Sequence, residues 1–160
     1  MRDQGELQGA ETAISQALDV CERAGLIVQS IQANSARALL SGMAGREAQA
    51  REFAQEAVEL AGRVHYPVGE AAAIEAAGMV GPLPGALADL QRARGTWQAL
   101  GRPLDAARCD LLLGQRQLEH NPTEAASVLD RAATAYDELG VAHLAARARE
   151  LGSSAVVKRR

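Results

Sequence analysis

The sequence predicts an all-α fold, an α-α superhelix of about eight antiparallel helices. Two series of glycines recur at nearly constant intervals: Gly42, Gly78 and Gly114, and Gly25, Gly62, Gly101 and Gly140. Self-similarity at a period between about 20 and 50 residues is typical of stacked, repeated helix pairs. Apolar residues make up 48% of the chain, aromatic residues only 2%, and Ala and Leu dominate. This composition favours helices over strands.

The first four predicted helices cover about 6–24, 26–41, 46–63 and 66–79. The first carries Ile14, Leu18 and Cys21 on one face, at helical spacing. Glycines within 42–45 separate the second helix from the third, which has an apolar stripe of its own. The fourth opens with Pro67, because proline suits the first turn of a helix.

The last four predicted helices cover about 86–100, 102–118, 122–139 and 141–151. Two prolines and two glycines in 81–85 precede the fifth and form the firmest break in the chain. Pro103 and Pro122 mark the starts of the sixth and seventh. Residues 1–152 therefore form one predicted helical repeat domain, with three complete helix pairs and one flanking helix at each end. Residues 153–160 form a predicted flexible basic tail.

Charge and composition argue against several classes of function. The net charge is −3 with both signs interspersed, which gives no reason to expect nucleic-acid binding. No apolar run approaches the roughly 18 residues of a membrane span, and no signal segment opens the chain. Cys21 and Cys109 fit reduced, buried thiols. We therefore expect a cytoplasmic protein that contacts neither nucleic acid nor membrane directly.

Small residues recur at fixed distances from the first glycine series. Ala126 and Ala133 follow Gly114 at the same distances at which Ala54 and Ala61 follow Gly42. This pattern resembles the tetratricopeptide repeat, in which such alanines mark helix contacts. The period is a few residues longer than is usual in that family, so the resemblance is to a tetratricopeptide-like solenoid.

A narrower resemblance concerns the segments 97–103, 106–108 and 111–114. They are similar to helical repeats of large bacterial signal-transducing ATPases, including LuxR-type and maltose-type transcriptional regulators. In those proteins the repeats sense small effectors or partner proteins. The chain has no phosphate-loop motif and no helix-turn-helix segment after Gly152. The resemblance therefore implies a sensor or scaffold region, without ATPase activity or DNA binding of its own.

The resemblance also implies a concave groove lined by alternate helices. The polar residues that it places there are Arg37, Glu75, Arg108, Gln115 and Arg147. Arginine in a groove suits a carboxylate or an acidic peptide, because its planar fork donates two parallel hydrogen bonds. The alternative, which is the commoner role of such residues, is that these arginines join neighbouring repeats through surface ion pairs.

The sequence offers no catalytic pattern. His65, His120 and His143 fall at helix boundaries without metal-ligand spacing, and Cys109 has no nucleophile signature. We therefore predict no enzyme, no cofactor and no metal site. The predicted function is a protein-interaction or regulatory module for a protein, a peptide or a small effector. The alternative is self-association as a homodimer through the exposed faces of the end helices.

Overall fold

The computed structural model describes residues 2–157, with side chains described for 7–154. Eight α-helices and no strand occupy this part of the chain. The helices are α1 (Arg2–Ala24), α2 (Ile27–Met43), α3 (Glu47–Arg63), α4 (Pro67–Val80), α5 (Gly85–Ala99), α6 (Pro103–Gln117), α7 (Pro122–Glu138) and α8 (Ala142–Val157). The predicted all-α class is confirmed, and most helix ends agree with the prediction within a few residues.

The end of α8 differs from the prediction. We expected Gly152 to end the helix, but α8 continues to Val157. The hydroxyls of Ser153 and Ser154 donate to the carbonyls four residues earlier, at 2.9 and 3.0 Å, so these serines satisfy their polar groups within the helix. Residues 153–157 of the predicted tail are thus helical, and 158–160 lie outside the described residues.

Two compact units divide the chain, Met1–Asp89 and Leu90–Arg160. In the first unit α1 packs against α2, α2 against α3, and α4 against both α2 and α3. In the second unit α7 packs against α6 and α8, and α6 also reaches α8. Contact with the next helix and the next but one is typical of a helical repeat. None of the described helices is both long enough and apolar enough to cross a membrane.

One type of turn ends most of the helices. The residues with left-handed backbone conformation are Gly25, Gly45, His65, Gly101 and Gly140, with φ between 51° and 75°. In each turn the following N–H donates to a carbonyl five residues earlier, as from Arg102 to Trp97 at 2.9 Å. This is the Schellman motif, which satisfies the last carbonyls of a helix. Gly62 lies inside α3 without a positive φ, so His65 is the turn residue there.

Two members of the other glycine series, Gly42 and Gly114, mark close helix contacts. A Cβ atom on Gly114 would lie 2.4 Å from Cγ of Leu129, which places α6 directly against α7. A Cβ atom on Gly42 would lie 2.8 Å from a methyl carbon of Val80, where α2 meets α4. Each glycine therefore faces a branched side chain, and the absence of its own side chain makes room for that neighbour.

Small residues also dominate the core. Ala50, Ala54, Ala57 and Ala61 form one stripe along α3, and each is at most 1% exposed. In the second unit the buried core combines Leu111, Leu129 and Tyr136 with alanines of α6, α7 and α8. Trp97 of α5 is buried at 3% exposure. Alanine stripes allow close helix approach, and the few large side chains fill the space between them.

The contact at Gly114 gives the first prediction. Gly114→Ala should lower the free energy of unfolding by about 1–2 kcal/mol, because overpacking against Leu129 outweighs the gain in helix propensity. The matched control is Gly95→Ala in α5, where an added Cβ has no neighbour within 4 Å. That variant should gain up to about 1 kcal/mol. Urea unfolding measures both, and equal gains would contradict the packing described for Gly114.

The left-handed turns give the second prediction, which has opposite signs at two equivalent positions. Gly101→Ala should lower stability by about 1 kcal/mol, because a Cβ is disfavoured at positive φ. His65→Gly should raise stability by about 0.5 kcal/mol for the same reason. Gly62→Ala, in open space inside α3, is the control and should not lower the melting temperature. If His65→Gly lowers stability, contacts of the His65 side chain contribute more to stability at this turn than the strain of its left-handed backbone costs.

Candidate functional site

The second unit contains a cavity of about 300 Å³ formed by α5, α6, α7 and the turn between α5 and α6. Its polar lining residues are Arg94, Gln98, Arg102, Asp110 and Arg131. The rest of the lining is small or apolar and includes Pro103, Ala106 and Ala135. Cavities of this size lie at the lower end of the range for small-molecule sites.

Asp110 lies at the centre of the polar lining, with its side chain only 4% exposed. Arg131 of α7 donates to this carboxylate through Nη2 at 2.6 Å and through Nε at 3.1 Å. Nε of Arg94, on α5, lies 2.9 Å from both carboxylate oxygens. One carboxylate of α6 therefore holds two guanidinium groups, and the three residues join three consecutive helices.

The charges in this cluster do not cancel. Two guanidinium groups face one carboxylate, so the cluster carries one net positive charge. The hydrogen bond to Asp110 raises the pKa of Arg131 above its ordinary value, although burial opposes the shift. Both oxygens of Asp110 accept hydrogen bonds from arginine, whereas Arg94 uses only its Nε. The cluster therefore offers N–H donors to the cavity, and a ligand that complements it is an anion.

Arg102 adds a third guanidinium group at the rim of the cavity. It is the residue after the left-handed Gly101, so the turn between α5 and α6 fixes its backbone. Its Nε donates to Asp105 at 2.9 Å, and its guanidinium carbon lies 5.6 Å from the ring centroid of Trp97. Arg102 is half-exposed, and it connects the rim to the only tryptophan of the chain.

The first unit has a cavity of about 440 Å³ whose charged lining residues are Glu11 and Arg46, and a smaller one of about 180 Å³. Two arginines line it, but each has a partner in the cavity wall: Arg37 lies 3.8 Å from the ring centroid of Phe53, and Arg46 pairs with Glu11. Among the described residues, no group of three or more His, Cys, Asp and Glu side chains could hold a metal ion. The Asp110 cavity has the largest excess of arginine over carboxylate in its lining, three to one, so it is the better candidate for a ligand.

None of the five residues that the sequence placed in a groove lines the Asp110 cavity. The described positions are these: Arg37 stacks on Phe53, Glu75 is buried at 6% exposure in α4, Arg108 is exposed and pairs with Asp105 at 2.7 Å, Gln115 is half-buried on α6, and Arg147 is exposed on α8. Arg108 comes nearest to the site, because it shares Asp105 with Arg102. It precedes Asp110 by two residues, which turns it about 200° around the helix.

The sequence contains a signal for Asp110 that our prediction did not use. Asp110 continues the buried stripe of α6 that includes Ala106, Leu113 and Gln117. A carboxylate in a buried stripe requires a cationic or hydrogen-bonding partner, because an unpaired buried charge is strongly unfavourable. The identity of that partner depends on how three helices are aligned along one another, and the sequence alone does not fix this alignment.

The buried cluster gives the third prediction. Asp110→Asn should lower the free energy of unfolding by about 2–4 kcal/mol, because it removes the charge that compensates two partly buried guanidinium groups. Asp105→Asn is the control on the same helix, since Asp105 also pairs with two arginines, but nearer the surface. That change should cost less than about 1 kcal/mol. Equal losses in urea unfolding would contradict a special role for burial at Asp110.

Similarity to known proteins gives no independent assignment of this site. Neither the known protein families nor the curated proteins that were compared with the chain contain a match. The tetratricopeptide-like resemblance therefore stays a prediction from the sequence. The candidate site is defined by its geometry: two arginines pair with one buried carboxylate at an open cavity, and a third arginine lies at the rim.

Proposed function

We propose that this chain is a non-enzymatic binding module of helical repeats. The observation that carries the proposal is the open, arginine-lined cavity at Asp110, which is formed by three consecutive helices. We further propose that the module serves as a sensor or scaffold region of a bacterial transcriptional regulator or signalling ATPase in the cytoplasm. This second part depends on the resemblance of segments 97–103, 106–108 and 111–114 to the repeats of such proteins.

The position of the cavity supports a sensing role. Its donors come from α5 and α7, and Asp110 of α6 lies between them. A ligand that binds these donors contacts two helices that are both joined to α6 through Asp110. Binding therefore shifts the helices toward the arrangement that binds the ligand more tightly. The size of the shift is set by the difference in affinity between the arrangements. This is the property that a repeat region needs in order to report a bound effector to an adjoining domain.

The chemistry of the lining also favours binding over catalysis. The lining includes no Ser, Cys, His or Lys, so a nucleophile or a histidine base is absent from it. Asp110 is its only carboxylate, and arginine N–H groups occupy both oxygens. A carboxylate held in this way is a poor general base, because proton uptake would break its ion pairs.

A second candidate function is self-association of the chain. Apolar side chains are exposed around the turn between α1 and α2, namely Val20, Leu26, Ile27 and Val28. Exposed apolar groups of this kind at the end of a repeat array are unfavourable in water unless another surface covers them. A second copy of the chain would cover them. This candidate uses a different surface and does not require the Asp110 cavity.

The fourth prediction tests the binding module with a dye at the cavity rim. Cys21 and Cys109 are buried, so a thiol-reactive dye attached through the exposed Gln98→Cys substitution labels one position selectively. An extract of the source cells is divided into macromolecular and small-molecule fractions. We expect one fraction to change the dye signal saturably, and Arg131→Gln to weaken this response about tenfold or more, because a charge-assisted donor is lost.

The control dye is attached through Gln55→Cys on α3, in the other unit, and should not respond. The control substitution is Arg149→Gln, which also removes a cation paired with a carboxylate, Asp137, but on the surface of α8. Equal responses of the two dyes, or no response of the dye at position 98, would contradict the proposed binding module.

Light scattering over a concentration series tests self-association, because a mass that stays at 16.8 kDa removes that candidate. Arg108→Ala in the dye assay tests the groove predicted from the sequence: an unchanged response to the extract would contradict that groove.

A further inference from the structure

We infer that the Asp110 cavity binds a small organic acid, through one carboxylate held by Arg94 and Arg102 with Arg131. This inference depends on the proposed function, because it names the class of effector that the module senses. The ligand that fits has a carboxylate at one end and a short aliphatic segment next to it. The donors, the position of Asp110 and the apolar lining support this class separately.

The free donors match the geometry of a carboxylate. Arg94 donates to Asp110 through Nε only, so both terminal nitrogens of its guanidinium remain for a second acceptor. These two nitrogens form the edge that binds a carboxylate through parallel hydrogen bonds. Arg131 uses its Nε and Nη2 for Asp110 and retains Nη1. A carboxylate oxygen accepts from these groups without donating, whereas a neutral amide would bring an unfavourable N–H.

Asp110 acts as a positioning residue for this ligand. Its carboxylate fixes the two guanidinium groups before any ligand arrives, and its burial keeps water from loosening the pair. Arginine side chains otherwise lose considerable conformational entropy on binding, so a pre-formed fork raises the affinity. Asp110 also neutralises only one of the two charges. A single carboxylate from the ligand therefore completes the charge balance of the cluster.

The remaining lining distinguishes an organic acid from an inorganic anion. Pro103, Ala106, Ala107 and Ala135 provide an apolar surface beside the donors. Phosphate is hydrated on all sides and gains nothing from contact with this surface, whereas a short aliphatic chain does. The cavity volume of about 300 Å³ suits a molecule of a few carbon atoms. A peptide would have to place its terminal carboxylate in this small cavity with the rest of its chain outside.

Trp97 provides a reporter that requires no label. It is the only tryptophan of the chain, and the guanidinium group of Arg102 at the cavity rim lies over its ring at a cation-π distance. The test titrates the full chain with glutarate and follows tryptophan fluorescence; one carboxylate of glutarate enters the cluster, and the other remains in solvent at the open side of the cavity. The companion titrations use glutaramide, inorganic phosphate, and a short peptide with a free or an amidated C-terminus. We expect saturable binding of glutarate, with glutaramide and phosphate at least tenfold weaker because they lack either the charge or the aliphatic segment.

The variants connect binding to the cavity. Arg94→Gln removes the free fork but leaves Asp110 with both hydrogen bonds from Arg131, so the fold should persist, and glutarate binding should weaken at least tenfold. Arg149→Gln changes the net charge equally and should leave binding within twofold of the unsubstituted chain. Thermal unfolding of each variant, without ligand, separates lost binding from lost structure. Calorimetry repeats the glutarate titration independently of Trp97.

Each result decides between the alternatives. Equal affinities for glutarate and glutaramide would contradict recognition of a carboxylate. An affinity for phosphate as high as that for glutarate would contradict the preference for an organic acid over an inorganic anion. If the peptide with a free C-terminus binds more tightly than glutarate, the ligand is a peptide terminus and the inference of a small organic acid is wrong. If no acid binds while the dye at Gln98 still responds to extract, the inference fails and the module stands. If neither assay responds, both the inference and the proposed function are wrong.

Discussion

The second unit depends on one interaction, the burial of Asp110 between two arginines. A carboxylate inside a helix contact is unfavourable unless a cation accompanies it, and here Arg94 and Arg131 both reach α6. Because these partners lie on the helices before and after α6, the single charge restricts how α5, α6 and α7 can slide or rotate against one another. An all-apolar contact would stabilise the unit equally well, but it would specify the alignment less strictly. The ion pairs thus set the geometry in which the cavity forms.

Small residues make this geometry accessible. Gly114 lies one turn beyond Asp110 on α6, and the lack of a side chain there allows Leu129 of α7 to approach closely. The same approach brings Arg131, two residues further along α7, within hydrogen-bonding distance of Asp110. At the other side of α6, the left-handed turn at Gly101 leads directly into the helix and fixes Arg102 at the rim. Packing and turn geometry therefore position the charged groups, and the charges in turn fix the packing.

The sequence predicted the helices well because their determinants are local. Proline in the first turn and glycine after the last turn mark most of the helix ends, so eight helices and most of their ends follow from composition and periodicity. Two local details do not follow from the glycine pattern: α8 stays helical beyond Gly152, with serine hydroxyls bonded to carbonyls of the helix, and His65 takes a left-handed turn position that glycine takes elsewhere. The site was not predicted, because it depends on side chains that meet across three helices. An error of one residue in that alignment rotates a side chain by about 100°, which is enough to move it out of a cavity.

The residue that secures the fold also limits the affinity of the site. Asp110 orders the guanidinium groups, yet its negative charge repels any anion that enters beside it, and it uses three of the arginine N–H groups. A site without this carboxylate would attract anions more strongly, but its arginines would be disordered and mutually repulsive. Moderate affinity with a defined geometry suits a sensor, since an effector must dissociate when its concentration falls. If the chain is a sensor as proposed, a bound ligand would act through helix packing, because the groups that would hold the ligand are the groups that hold α5 and α7 to α6.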